Sequence, residues 1–104
     1  MSGIRAVDVL IVTYKTRADI LLRLLGSLVE HAGDVALHVA IMDNSLDAAP
    51  REIVRAAVAR FEGHFASLRL TMSDANLGFG KANNALAAGA KTPWLLLMNP
   101  DTAL

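Results

Sequence analysis

Four groups of short polar residues stand where this sequence could do chemistry: Thr13-Tyr14, Asp43-Asn44-Ser45, Ser73-Asp74 with Asn76, and Asn99 with Asp101. Carboxylate and amide oxygens accept hydrogen bonds from hydroxyl and N–H groups, and they are also the donors that hard cations take. The chain has no cysteine, so thiol nucleophiles, thiolate zinc sites and disulfides are excluded, and its chemistry rests on oxygen and nitrogen. Asn, Asp and Ser are equally the residues of turns, so each group taken singly also reads as loop chemistry. What raises them above that is where each falls in the chain.

Each group closes an apolar run. Val7, Val9, Leu10, Ile11 and Val12 form a β-branched segment ending at Thr13-Tyr14, which predicts a strand buried on both faces. A helix follows, with Thr16 as its N-cap and Asp19 three residues on. Its stripe of Ile20, Leu21, Leu24, Leu25, Leu28 and Val29 runs to a stop at Gly33. Residues 35–42 are again strand-like and end at Asp43. Pro50 suits the first turn of a second helix, whose stripe of Ile53, Val54, Ala57, Val58 and Phe61 ends at Gly63. Residues 67–72 alternate, which places a third strand nearer a sheet edge. An alanine-rich helix then opens at Gly78 and runs to about Ala90, and Trp94 to Met98 reads as a fourth buried strand, with Trp94 packed between sheet and helix.

The order is β-α-β-α-β-α-β. Strands alternating with helices imply parallel pairing through right-handed crossovers, hence α/β: an open, mostly parallel, doubly wound sheet. In such sheets a ligand binds outside the carboxyl ends of the strands, where all four polar groups fall.

Two local motifs bear on the ligand. Gly78-Phe79-Gly80-Lys81-Ala82-Asn83 follows a strand and opens a helix, an arrangement that either cradles an anion or simply permits a tight turn. It lacks the third glycine of a dinucleotide fingerprint. It also lacks a Walker A loop, since Ala75 and Ala82 occupy the first Gly and the Ser/Thr positions. Asn99-Pro100-Asp101 offers an amide and a carboxylate oxygen for Mg²⁺ or Mn²⁺, or forms a turn. His31, His38 and His64 have no metal-like spacing and read as solvated or strand-surface residues, no serine sits in a nucleophile elbow, and Lys81 reads as a solvated helix-face residue.

Composition sets the outer bounds. The 104 residues make one domain, 54% apolar residues support a packed core, and ten basic residues against ten acidic ones leave no electrostatic footprint for nucleic acid. The start of the chain has the wrong flanks for a signal peptide or spanning helix, so the expected location is cytoplasmic, or the inner face of the membrane.

The series Val9-Leu10-Ile11-Val12-Thr13-Tyr14, Ile41-Met42-Asp43-Asn44-Ser45, Asn76-Leu77-Gly78-Phe79-Gly80-Lys81-Ala82-Asn83-Asn84 and Leu97-Met98-Asn99-Pro100-Asp101-Thr102 resembles the family 2 glycosyltransferases of the GT-A fold. The likeness spans residues 7–102. Its Asn-Pro-Asp-Thr ending is similar to the rhamnosyltransferase-like and galactofuranosyltransferase-like branch, which points to cell-wall polysaccharide biosynthesis. The resemblance implies a Rossmann-like nucleotide-binding half that takes a UDP- or dTDP-sugar and serves a glycan or lipid-linked acceptor, with inversion and a divalent cation. It implies further that Thr13 and Tyr14 contact the nucleobase, that Asp43, beside Asn44, binds base or ribose, and that Asn76, Gly78, Asn83 and Asn84 line the donor. Asn83 stands where many members carry Arg. Asn99 and Asp101 match the D-x-D metal motif, with Asp101 the retained carboxylate.

An inverting transfer needs a general base for the acceptor hydroxyl. In the family that base follows the metal motif, so the expectation is a donor-binding unit that does not turn over alone and whose uncovered sheet favours a homo-oligomer. The competing reading is a non-catalytic nucleotide-binding or interaction module of the same fold. A flavodoxin-like receiver with Asp43 as phosphoacceptor is a third; it needs acidic residues near the first strand's end, where Thr13-Tyr14-Lys15 stands.

Overall fold

The computed structural model of the chain describes residues 5–75, 77–98 and 100, with Phe79 in its backbone only. Three of the residues singled out above, Asn76, Asn99 and Asp101, lie outside the described residues.

The elements follow the expected alternation: β1 (Ala6–Thr13), α1 (Ala18–His31), β2 (Ala36–Asp43), α2 (Ala48–Ala59), β3 (Ser67–Met72), α3 (Gly78–Ala87) and β4 (Leu95–Met98). All strands pair in parallel, in the order β3-β2-β1-β4. The chain thus winds outward from β1 through β2 to β3, then crosses back to the other side of β1. That reversal makes the junction of β1 and β4 the topological switch point of the sheet.

Strand periodicity splits the core in two. Val9 and Ile11 of β1, with Leu37, Val39 and Ile41 of β2, face α1 and α2, where Leu21, Leu25, Val54, Ala57 and Val58 close over them. Leu10, Val12, Ala40 and Met42 face the other way and meet Ala82 and Leu86 of α3. Helices on both faces are why β1 and β2 are predominantly apolar along their length, with Asp8 and His38 as the interior exceptions, rather than alternating. The small Ala82 side chain lets α3 lie close to the sheet.

Three local expectations are corrected. Trp94 to Met98 is not a buried strand: β4 is an edge strand paired only with β1 among the described residues, and Leu95, Leu96 and Leu97 are 44%, 45% and 49% exposed. Trp94 is 53% exposed rather than packed between sheet and helix. Thr16 does not cap α1: Arg17 occupies the N-cap without a side-chain bond to the backbone N–H groups of the first turn, while Thr16 Oγ1 accepts from the Tyr14 N–H at 3.3 Å and so belongs to the preceding turn. Tertiary burial of the Leu21 and Leu25 stripe, rather than a cap, holds α1 in place.

An acidic residue inside β1 explains how the far edge is anchored. Asp8 points to the α3 side and is only 2% exposed. Its carboxylate accepts the Lys91 N–H at 3.1 and 3.0 Å and the Thr92 N–H at 2.7 Å, which ties the α3–β4 connection to the start of the sheet. Burial alone would raise its pKa, but the Lys91 and Thr92 donors and the neighbouring His38 outweigh burial and hold the group below its ordinary value.

Candidate functional site

β1 and β2 pair in register from Ala6 with Ala36 to Thr13 with Asp43, so both strands finish level with each other. Thr13, Asp43 and Ser45 are fully buried, and Asn44 almost so. Polar side chains at such positions must find partners, and most of theirs are each other.

Asp43 organises the cluster. Its Oδ1 accepts the Thr13 hydroxyl at 3.0 Å, the Ser45 N–H at 3.2 Å and the Ser45 hydroxyl at 2.8 Å. Ser45 Oγ in turn accepts the Lys15 N–H at 2.6 Å, which draws the turn after β1 against the turn after β2. Lys15 has a φ of +51°, a left-handed conformation that costs a non-glycine residue about 1 kcal/mol or more and persists only where its surroundings impose it. The Lys15 ammonium stands 3.7 Å from Asp47 and 5.3 Å from the Tyr14 ring centre, contacts on an exposed rim that steady the turn only slightly.

Two acceptors in this cluster are unmet. Asp43 Oδ2 and Asn44 Oδ1 are buried without a hydrogen-bond partner, while Asn44 Nδ2 reaches the Gly78 carbonyl at 3.4 Å. A buried acceptor that lacks a donor carries a desolvation penalty of about 1–3 kcal/mol. A pair of them fits a ligand that donates hydrogen bonds, such as sugar hydroxyls or a ring N–H. It does not fit an anion.

The third strand end lies next to the second. The Ser73 N–H donates to the Asp43 carbonyl at 3.0 Å, continuing the β2–β3 ladder past Met72. Gly78, at φ +74°, then opens α3 in a backbone conformation that residues with a Cβ rarely adopt. The N-terminal end of α3 therefore stands on the carboxyl side of the sheet, where its positive dipole end favours an anion.

Of the residues predicted from sequence, the structure brings Thr13, Asp43, Asn44 and Gly78 together. Tyr14 is adjacent on the rim, 44% exposed. Asn83 is buried on the inner side of α3, whereas the Asn84 side chain faces solvent and makes no hydrogen bond among the described residues. Sequence reasoning missed Lys15, whose left-handed φ marks it, and Arg51, whose contacts follow from the fold alone. Among the described residues no group of three His, Cys, Asp or Glu side chains is placed to hold a metal ion. His38 Nδ1 lies 2.8 Å from Ser67 Oγ, and His31 Nδ1 lies 3.0 Å from the Ser27 carbonyl, which keeps the histidines on separate surfaces as their spacing predicts.

An open parallel sheet with helices on both faces and a polar cluster at its carboxyl edge defines the Rossmann-like class of α/β domains. The model of the family described as Glycosyl transferase family 2 matches residues 8–104, and the chain belongs to that family. A comparison with curated proteins gave no match. Family membership makes this a glycosyltransferase domain, with a nucleotide-sugar donor and an acceptor as its general substrates.

Proposed function

We propose that residues 1–104 act as a single donor-binding unit for a UDP- or dTDP-sugar. The observation that carries this reading is the pair of buried, unmet acceptors, Asp43 Oδ2 and Asn44 Oδ1, at the level ends of β1 and β2. A pyrimidine N3–H and the ribose hydroxyls supply the donors these oxygens lack. The turn at residues 14–16, tied to Ser45 through the Lys15 N–H, lies beside them, and the ligand reaches them by displacing part of it. Acceptors repel phosphate, so the diphosphate belongs further along the carboxyl edge, at the opening of α3 near Gly78, with Asn76, Asn83 and Asn84 as the neighbouring amides.

The metal reading rests on sequence. Asn99 and Asp101 follow β4, whose last residue, Met98, is in register with Ile11, two residues short of Thr13. An amide and a carboxylate are suitable oxygens for Mn²⁺ or Mg²⁺, and a cation there would supply charge neutralisation for the leaving diphosphate.

The remaining assignments are of the same kind. The Asn-Pro-Asp-Thr ending supports an inverting transferase of the rhamnosyltransferase-like branch in cell-wall polysaccharide synthesis, with a glycan or lipid-linked acceptor at the inner face of the membrane. No helix among the described residues is long and apolar enough to cross a membrane. The exposed leucines of β4 support association with a second copy.

Calorimetric titration of the 104-residue chain with UDP and dTDP, each with and without Mn²⁺, tests the reading. Pyrimidine diphosphate binding that strengthens with metal, and that loses its metal dependence in Asp101→Ala, is the expected result. Binding indifferent to metal favours a nucleotide-binding module without transferase chemistry. A folded chain that binds neither nucleotide overturns the proposal.

A further inference from the structure

Arg51 is placed unlike the arginines that pair at the surface. It sits in the first turn of α2, where the helix dipole disfavours a cation, and no carboxylate lies within 4.0 Å of it among the described residues. Arg17 and Arg55, by contrast, pair with Asp19 and Glu52 on exposed surfaces. The Arg51 guanidinium is half-buried and gives its N–H groups to two backbone carbonyls. Its Nε donates to the Ser45 carbonyl at 2.7 Å, and its Nη2 donates to the Ser73 carbonyl.

Those carbonyls belong to two different strand ends. Ser45 closes the cluster in which Asp43 holds its unmet oxygen, and Ser73 begins the segment that leads into Gly78 and the opening of α3. Among the described residues two other bonds join these ends: the Ser73 N–H to the Asp43 carbonyl, a ladder rung at the base of both loops, and the long bond of 3.4 Å from Asn44 Nδ2 to the Gly78 carbonyl. A rung at the base and one bond near the limit of hydrogen-bond length hold the separation of the loops only weakly. A planar, forked guanidinium that engages a carbonyl on each side fixes their separation, and its geometry cannot be reproduced by the point charge of lysine.

We infer that Arg51 is a positioning residue for the nucleotide: it holds the base-and-ribose side of the site, at Asp43–Ser45, at a set distance from the diphosphate side, at Ser73–Gly78. The inference rests on the donor-binding reading above. A ligand that touches one side only does not depend on that separation. A ligand that spans both sides does.

The test compares a spanning ligand with a non-spanning one. Affinities of UDP and uridine, or dTDP and thymidine if the chain prefers that base, are measured for wild type, Arg51→Lys and Arg51→Gln well below their unfolding temperatures, by calorimetry and ligand-observed NMR. In both variants the diphosphate is expected to lose about tenfold in affinity while the nucleoside stays within about twofold. A general loosening of the domain weakens both ligands together and leaves their ratio unchanged, so an unchanged ratio overturns the proposal. Wild-type affinities in Arg51→Lys also overturn it, because charge alone is then sufficient. If Arg51→Gln does not fold, the lysine variant carries the comparison. A wild-type chain that binds neither ligand instead removes the donor-binding reading, and the inference with it.

Discussion

The Thr13 hydroxyl donates to Asp43 Oδ1 at 3.0 Å, joining the last residue of β1 to the last residue of β2 across their aligned ends. This bond fixes which carboxylate oxygen is used internally. Oδ1 is committed to Thr13 and Ser45, and Oδ2 is the one left for a ligand.

Asp43→Asn should separate binding from folding. If the amide oxygen keeps the Oδ1 position and its donors, the NH₂ group stands where Oδ2 stood and turns a donor toward the donors of the ligand. Pyrimidine nucleotide affinity is expected to fall by about tenfold or more, with thermal unfolding shifted by only a few degrees. Titration calorimetry beside a melting curve distinguishes this from a merely structural Asp43, for which the melt would move and any binding would not.

Gly78→Ala isolates backbone strain from crowding. A Cβ placed on Gly78 meets nothing within 4 Å, so the whole cost comes from φ +74° and amounts to about 1–2 kcal/mol. Urea denaturation should show that loss without a change in the slope of the transition; a neutral substitution would mean that the turn opening α3 relaxes freely.

Asp8 should make the fold acid-sensitive in a defined direction. Its folded pKa lies below the ordinary value of 3.8, so its contribution to stability is present above that value and is lost as the pH falls through the folded one. At pH 7, Asp8→Asn is expected to cost about 1–3 kcal/mol, because an amide oxygen at the Oδ2 position keeps the Lys91 and Thr92 donors but loses the charge that strengthens both bonds, and the NH₂ group at the Oδ1 position is set against the Lys91 N–H. The difference between variant and wild type in urea should narrow as the pH falls below the ordinary carboxylate range. A gap that stays constant with pH would show that charge at Asp8 is irrelevant.

Leu96→Lys places a charge in the middle of the exposed edge strand, one of the devices by which natural edges avoid pairing. Sedimentation should show self-association of the wild-type chain and a shift to monomer in the variant. A wild-type monomer at high concentration would remove the proposed second copy from β4.

How much of this was legible in the sequence differs from element to element. β1 from Val9 to Val12 and β4 are both apolar runs, and only one of them is buried on both faces. What separates them is strand order, which is set by the crossover after β3 returning to the far side of β1, and a run of leucines carries no trace of that. Asp43 was readable because its position after a strand places it on the carboxyl edge whatever the strand order. Asn83 and Asn84 look equivalent in the sequence, yet they are about 100° apart around α3, and one is buried while the other is solvent-facing. Arg51 was invisible for a different reason. Its partners are backbone carbonyls, six and twenty-two residues away, which have no side-chain signature.

The anchoring of β4 by Asp8 has a further consequence. The bond to Thr92 is made at the amino end of the sheet, whereas β4 finishes with Met98 toward the carboxyl end, some four strand residues or about 13 Å away. β4 has only β1 to align against among the described residues, and a slip of one residue would turn every side chain of the strand to the opposite face. Asp8 therefore acts as the zero mark of a ruler: fixing the start of the strand sets which residue arrives at its end. A substitution at Asp8 would then be felt at the carboxyl edge as an error of registration, even though its own contacts lie at the other pole of the domain.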